Sequence, residues 1–176
     1  HEYAEFIWLQ GGHMTAVVQA DTYELDPGDL LIINSGELHM TRISQRPSHC
    51  PYVLMQLSAQ RMGEYFPGRE TLRFTTLIRR AELEKTPAIL EPLTAMQQLF
   101  EANQDGYQLL FRARLFEFLH AMYKLHASTA FRLAENASAR DLKRIMDVVA
   151  WTQEHYRQPL SLEDAADHLS ISKEYF

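Results

Sequence analysis

Residues 145–176 read IMDVVAWTQEHYRQPLSLEDAADHLSISKEYF, and this stretch decides how the rest of the chain divides. Ile145, Val148, Val149, Thr152 and Tyr156 recur at helical spacing and predict the inner face of one helix. Pro159 ends it, because proline has no backbone donor and clashes with the preceding turn. Ser161 is placed to cap a second helix. Glu163 and Asp164 fall in its first turn, near the positive end of the dipole, and the Ser161-to-Asp164 spacing predicts a capping box. Ala165, Ala166 and Leu169 form its inner side, with the alanines small enough for two helices to cross closely. Ser170-Ile171 predicts a tight turn, and Ser172 a cap for a further helix beginning Lys173-Glu174-Tyr175-Phe176.

Upstream, residues 134–140 are mostly small and polar, which suits a linker. Before them, residues 107–126 carry Phe111, Leu115, Phe118, Leu119, Met122 and Leu125 at helical spacing. A helix apolar around so much of its girth needs neighbours on more than one side. Leu93, Met96, Gln97 and Phe100 predict another helix, separated from it by Gln104-Asp105-Gly106. Residues 1–58 differ in character. Short β-rich runs at 5–10, 15–20, 23–25, 30–33 and 52–57 alternate with turn signals at Gly11-Gly12, Asp21, Asp26-Pro27-Gly28-Asp29 and Asn34-Ser35-Gly36. That spacing predicts a sandwich or barrel.

The chain has 176 residues, of which 46% are hydrophobic, enough for one full core and a small second unit. Its single cysteine, Cys50, allows no internal disulfide, and a reducing cytoplasm is the expected home. The net charge of -6 is the wrong sign for a chain devoted to holding phosphates, so the bulk of any DNA reader is expected outside this stretch. The start at His1 and the end at Phe176 are read as internal to a longer protein.

Two resemblances sharpen this reading. His1, Glu5 and Gly12, followed by Gly28, Gly36 and His39, match the spacing of the two cupin motifs, with Asn34 in place of the usual Pro and Ile43 in place of the usual Asn. In metal-binding cupins the matching positions would make His1, Glu5 and His39 ligands; the expectation is polar lining of a pocket without an ion. His155-Tyr156, Leu160-Ser161-Leu162, Glu163-Asp164, Ala166, Ser172 and Tyr175-Phe176 resemble, in order, the first helix-turn-helix of the AraC/XylS family of transcription regulators.

Together the resemblances imply an α+β chain: a cupin-like antiparallel barrel lacking its first part (1–58), a helical dimerisation segment (59–133), a linker (134–140), and the start of a DNA-binding helix-turn-helix (141–176). The function implied is effector-responsive transcription regulation by a homodimer, with promoter DNA, a small effector such as a sugar, and RNA polymerase as partners. The effector pocket would be lined by Tyr3, Glu5, Ile7, Trp8, Leu31, Ile33, His39 and Thr41, although Trp8 has the opposite strand parity to Glu5. Ser172, Lys173 and Glu174 would face DNA. No nucleophile with its base and no phosphate-cradling loop is visible, so no catalytic residue is assigned. The competing reading is a metal-dependent cupin enzyme acting on a small metabolite.

Overall fold

The computed structural model describes residues 3–43, 52–67, 72–128 and 138–173. The chain divides into two compact units, His1–Phe131 and Arg132–Phe176.

The first unit is built on β1 (Tyr3–Leu9), β2 (Met14–Val18), β3 (Asp21–Leu25), β4 (Leu30–Ile33), β5 (His39–Ile43) and β6 (Tyr52–Ser58). Then come α1 (Ala59–Tyr65), β7 (Arg73–Phe74), β8 (Leu77–Ile78), α2 (Arg80–Leu83), α3 (Pro87–Ala102), α4 (Tyr107–His126) and β9 (Ala127–Ser128). The strands form a four-stranded sheet in the order β6-β1-β4-β8, a three-stranded sheet β3-β2-β5, and the pair β7-β9, with every ladder antiparallel. The fold is therefore mixed, with antiparallel sheets and helices. Among the described residues the ladders give two facing sheets rather than one closed ring. The stretch expected to be helical after residue 58 also supplies β7, β8 and β9, whose two-residue runs are too short to leave a periodic signal. The turn expected at Asp21 lies instead at residues 19–20, with Gln19 in the left-handed region at φ 58°.

The register explains why the LLII run of β4 is apolar throughout. Successive residues of a strand point to opposite faces. Leu31 and Ile33, with Ile7 and Leu9 of β1, pack against Met14, Ala16, Val18 and Leu25 of the smaller sheet. Leu30 and Ile32, with Ala4 and Phe6, pack the other way, into a core shared with Ile89, Leu93 and Met96 of α3 and Leu115, Phe118, Leu119 and Met122 of α4. Phe6 meets Phe118 edge-on, with ring centroids 5.4 Å apart. The two helices form an antiparallel hairpin whose break has Asn103 and Gly106 in the left-handed region. Phe100 and Leu125, expected on the inner faces, are exposed, because the hairpin and sheet cover only one side of each helix.

The turn from β3 to β4 is fastened to α2. Asp29, 3% exposed, accepts from the backbone N–H of Asp26 (3.1 Å), from Arg79 (2.8 Å) and from the backbone N–H of Arg80 (2.8 Å). Arg79, at the start of α2, offers no side-chain cap, so the carboxylate of a distant turn satisfies a first-turn donor. Gly28, at φ +97°, lies where a Cβ would come 2.7 Å from the Arg80 side chain. Gly28→Ala is expected to destabilise the fold by about 1–2 kcal/mol, chiefly through the left-handed backbone, measurable by urea denaturation.

In the second unit, α5 (Ser138–His155) and α6 (Leu162–His168) are separated by residues 156–161. The capping box forms as the sequence suggests. Asp164 N–H donates to Ser161 Oγ at 3.1 Å, and Ser161 N–H donates to Asp164 Oδ2 at 2.8 Å. The Ser161 hydroxyl, and then its backbone N–H, hold the Asp164 carboxyl below the ordinary value. Ala165 and Ala166 are buried, and Ile171 N–H closes onto Ala166 O at 3.0 Å after the left-handed Ser170. The inner face of α5 is rotated from the one expected. Of the residues expected there Val148 is partly covered, Val149, Thr152 and Tyr156 are exposed, and the Ile145 side chain lies outside the described residues; Trp151 and His155 are partly covered in their place. Trp151 stacks with the imidazoles of His155 and of His168, each 5.2 Å away, and the His168 stack turns that side of α5 toward α6.

Candidate ligand-binding site

The space between the two sheets is apolar except at one end. There, Glu5 of β1 lies opposite Gln56 of β6 and Ile33 of β4. Its side chain is buried, at 6% residue exposure, and accepts a hydrogen bond from Gln56 Nε2 at 3.0 Å. Across the gap, on the edge strand β5 of the smaller sheet, His39 brings Nε2 to 3.6 Å from Glu5 Oε2. His39 Nδ1 is 3.3 Å from Glu37 O, which orients the ring with Nε2 toward the carboxylate. A buried carboxylate is costly unless its oxygens are satisfied. Here amide and imidazole converge on one, leaving a compact polar end above an apolar floor. Such a group can accept from hydroxyls or amines of a small molecule.

The expected lining residues divide into four groups. Glu5 and His39 meet, and Thr41, exposed, shares the inner face of β5 with His39. Ile7, Leu31 and Ile33 are the floor, packed at 5% exposure or less. Tyr3 is 45% exposed at the strand's start. Trp8 is a correction: it packs into the helix-side core, opposite Glu5, as strand alternation requires, with Nε1 buried and unpartnered among the described residues. Gln56 escaped the sequence reading. Its only signal is a polar residue inside an otherwise apolar strand, and its role needed the β1–β6 register.

Among the metal candidates, His1 lies outside the described residues. Glu5 and His39 supply two donors, and among the described residues no group of three His, Cys, Asp or Glu side chains converges as a metal would require. Of the DNA-facing candidates, Ser172 and Lys173 are exposed and Lys173 pairs with Glu163; Glu174 lies outside the described residues.

One expected bystander carries a small network. His13, in the β1–β2 connection, has Nε2 2.7 Å from Glu24 and Nδ1 3.1 Å from Asp26. The hydrogen bond to Asp26, then that to Glu24, raises its pKa above 6.5. A raised folded-state value means that the stabilisation is complete below the unfolded value and fades as pH rises through the folded one. The stability difference between the protein and a His13→Ala variant is therefore expected to shrink from pH 6 toward pH 8, as followed by denaturant midpoints, with the His13 ring proton titrating late by NMR.

The sequence profile of the AraC-like ligand binding domain matches residues 1–119. The chain belongs to that family. Its matched region contains Glu5, His39 and Gln56, together with the sheets that bring them together and most of the α3–α4 hairpin. Over 181 aligned residues the chain is 23% identical to the uncharacterized HTH-type transcriptional regulator YdeC of Bacillus subtilis (strain 168), covering 98% of this chain and 60% of that protein. The AraC-like chain thus spans about 60% of the length of that relative. Among its described residues no helix is long and apolar enough to cross a membrane.

Proposed function

We propose that this chain is the sensing and dimerising part of a cytoplasmic, ligand-responsive, sequence-specific DNA-binding regulator, with residues 141–176 beginning its helix-turn-helix. The observation that carries the reading is the buried Glu5 carboxylate, gathered with His39 and Gln56 at the polar end of an AraC-like ligand-binding fold. The effector is a small polar metabolite presenting donors to Glu5; a sugar satisfies that chemistry. Binding shifts the regulator only by its difference in affinity between two arrangements.

The DNA half of the reading is supported by the capped α6, the buried alanines and the tight turn that follows them. Lys173 and Ser172 stand just after that turn, where a helix entering the major groove would begin. A homodimer is supported by Leu109, Leu110 and Phe116 of α4, which are exposed at 73%, 60% and 50% with Phe100 of α3 nearby in the hairpin sequence. An exposed apolar stripe of this kind marks an interaction surface. Residues 138–140 of the expected linker belong to α5, so in the full regulator the linker is the part before Ser138, and RNA polymerase is the further partner.

The experiment is a gel shift of the full-length protein on its own upstream DNA, with a thermal-shift screen against sugars, acids and amines. Sequence-specific retardation at moderate salt is expected. For the ligand that raises the melting temperature, Glu5→Ala and His39→Ala should each remove the shift. Absence of any specific retardation, with and without that ligand, would end the regulator reading. In sedimentation runs Phe116→Glu is expected to turn dimer into monomer with little change in folding, since the ring is half-exposed.

A further inference from the structure

Asn34 stands where the second cupin motif usually has proline, and its side chain does what proline cannot. It is 4% exposed. Its Oδ1 accepts from Phe74 N–H at 2.7 Å and its Nδ2 donates to Phe74 O at 3.1 Å. The amide thereby imitates one residue of a strand and rivets the β4–β5 turn to β7. On its other side, Asn34 N–H donates to Glu37 Oε2 at 2.7 Å, and Nδ2 lies 3.2 and 3.3 Å from the two Glu37 carboxylate oxygens. Glu37 in turn supplies the carbonyl that orients His39 over Glu5.

The other end of this chain of contacts lies far along the sequence. Phe74 pairs with Ala127, and Arg73 with Ser128, in the β7–β9 ladder. Thr75 N–H donates to His126 O at 3.0 Å. Ser128 is the last described residue before the second unit begins at Arg132. The polar end of the site is thus joined, through Glu37, Asn34 and Phe74, to the strand from which the chain leaves the sensor.

We infer that Asn34 is a positioning residue that relays the state of the Glu5–His39 site to β9, and so to the start of the connection toward the second unit. The relay deepens the regulator reading and rests on it for its purpose, but its physical content is a coupling between two places in one unit. Mere intermediacy in space does not establish coupling; non-additivity does.

The test is hydrogen exchange of the Thr75 amide in the full chain, with His39→Ala as the perturbation. In the otherwise unaltered protein this substitution is expected to change the Thr75 exchange rate about 2- to 30-fold, the span that residues along a coupled network reach. In an Asn34→Ala background the same substitution is expected to leave that rate unchanged. A purely structural Asn34 would alter the baseline and keep the response to His39→Ala, which overturns the relay. So does a Thr75 rate indifferent to His39→Ala in the unaltered chain. If Asn34→Ala does not fold, Asn34→Ser, whose single hydroxyl cannot make the paired bonds to Phe74 N–H and O, takes its place, and persistence of the response there also overturns it. Because the readout involves neither DNA nor effector, a failed gel shift with intact coupling removes the regulator reading alone, and the reverse pattern removes the relay alone.

Discussion

Phe118→Ala is expected to lower the unfolding free energy by about 3–5 kcal/mol. The ring is fully buried and meets Phe6 edge-on, between the helical hairpin and the four-stranded sheet. Truncation removes its transfer free energy and leaves a cavity that strands on one side and helices on the other cannot close. A small domain has only about 5–15 kcal/mol in total, so the variant should stand near the edge of folding. Urea midpoints at constant slope would measure it. Truncating Phe116, two residues earlier but half-exposed, should cost far less, and near-equal losses at the two sites would mean that the helix face is assigned wrongly.

Asp29→Ala is expected to cost about 3 kcal/mol by a different route. It leaves the backbone donors of Asp26 and Arg80 and the Arg79 guanidinium without the acceptor that now serves all three. Hydrogen bonds to a charged group are worth about 1.5–3 kcal/mol each, but Arg79 is half-exposed and water replaces part of its bond. Asp29→Asn should recover some of the loss by keeping an acceptor oxygen. A loss below about 1 kcal/mol for the alanine variant would show that the turn and α2 are held by apolar packing instead.

Strands β1 to β4 and β6 were readable because each carries a short β-rich run between turn residues, and because alternation on β1 separates Glu5 from Trp8 before any coordinate is known. The capping box at Ser161 and the alanine crossing were equally legible, since both depend on residues a turn or less apart. What the sequence hides is pairing across distance. Gln56 meets Glu5 across 51 positions, Asn34 meets Phe74 across 40, and Asp29 meets Arg79 across 50. Asn34 and Asp29 read as turn residues, which they are, but their side chains are spent on partners that only the register brings near. The rotation of α5 had the same origin: Val149 and Tyr156 fit an apolar stripe, yet the stack of His168 on Trp151 chose a different side.

Strands β1 and β4 each wall off two apolar interiors at once. A proteolytic cut or gene truncation at residue 58 would therefore not release a miniature sensor. It would strip one side of the sheet bare, presenting Ala4, Phe6, Leu30 and Ile32 to water, and such a fragment should precipitate or bind hydrophobic dyes. Heated intact, strands and hairpin should melt in one calorimetric step, so a piece meant for crystallisation or biosensor fusion has to retain the chain through Ser128.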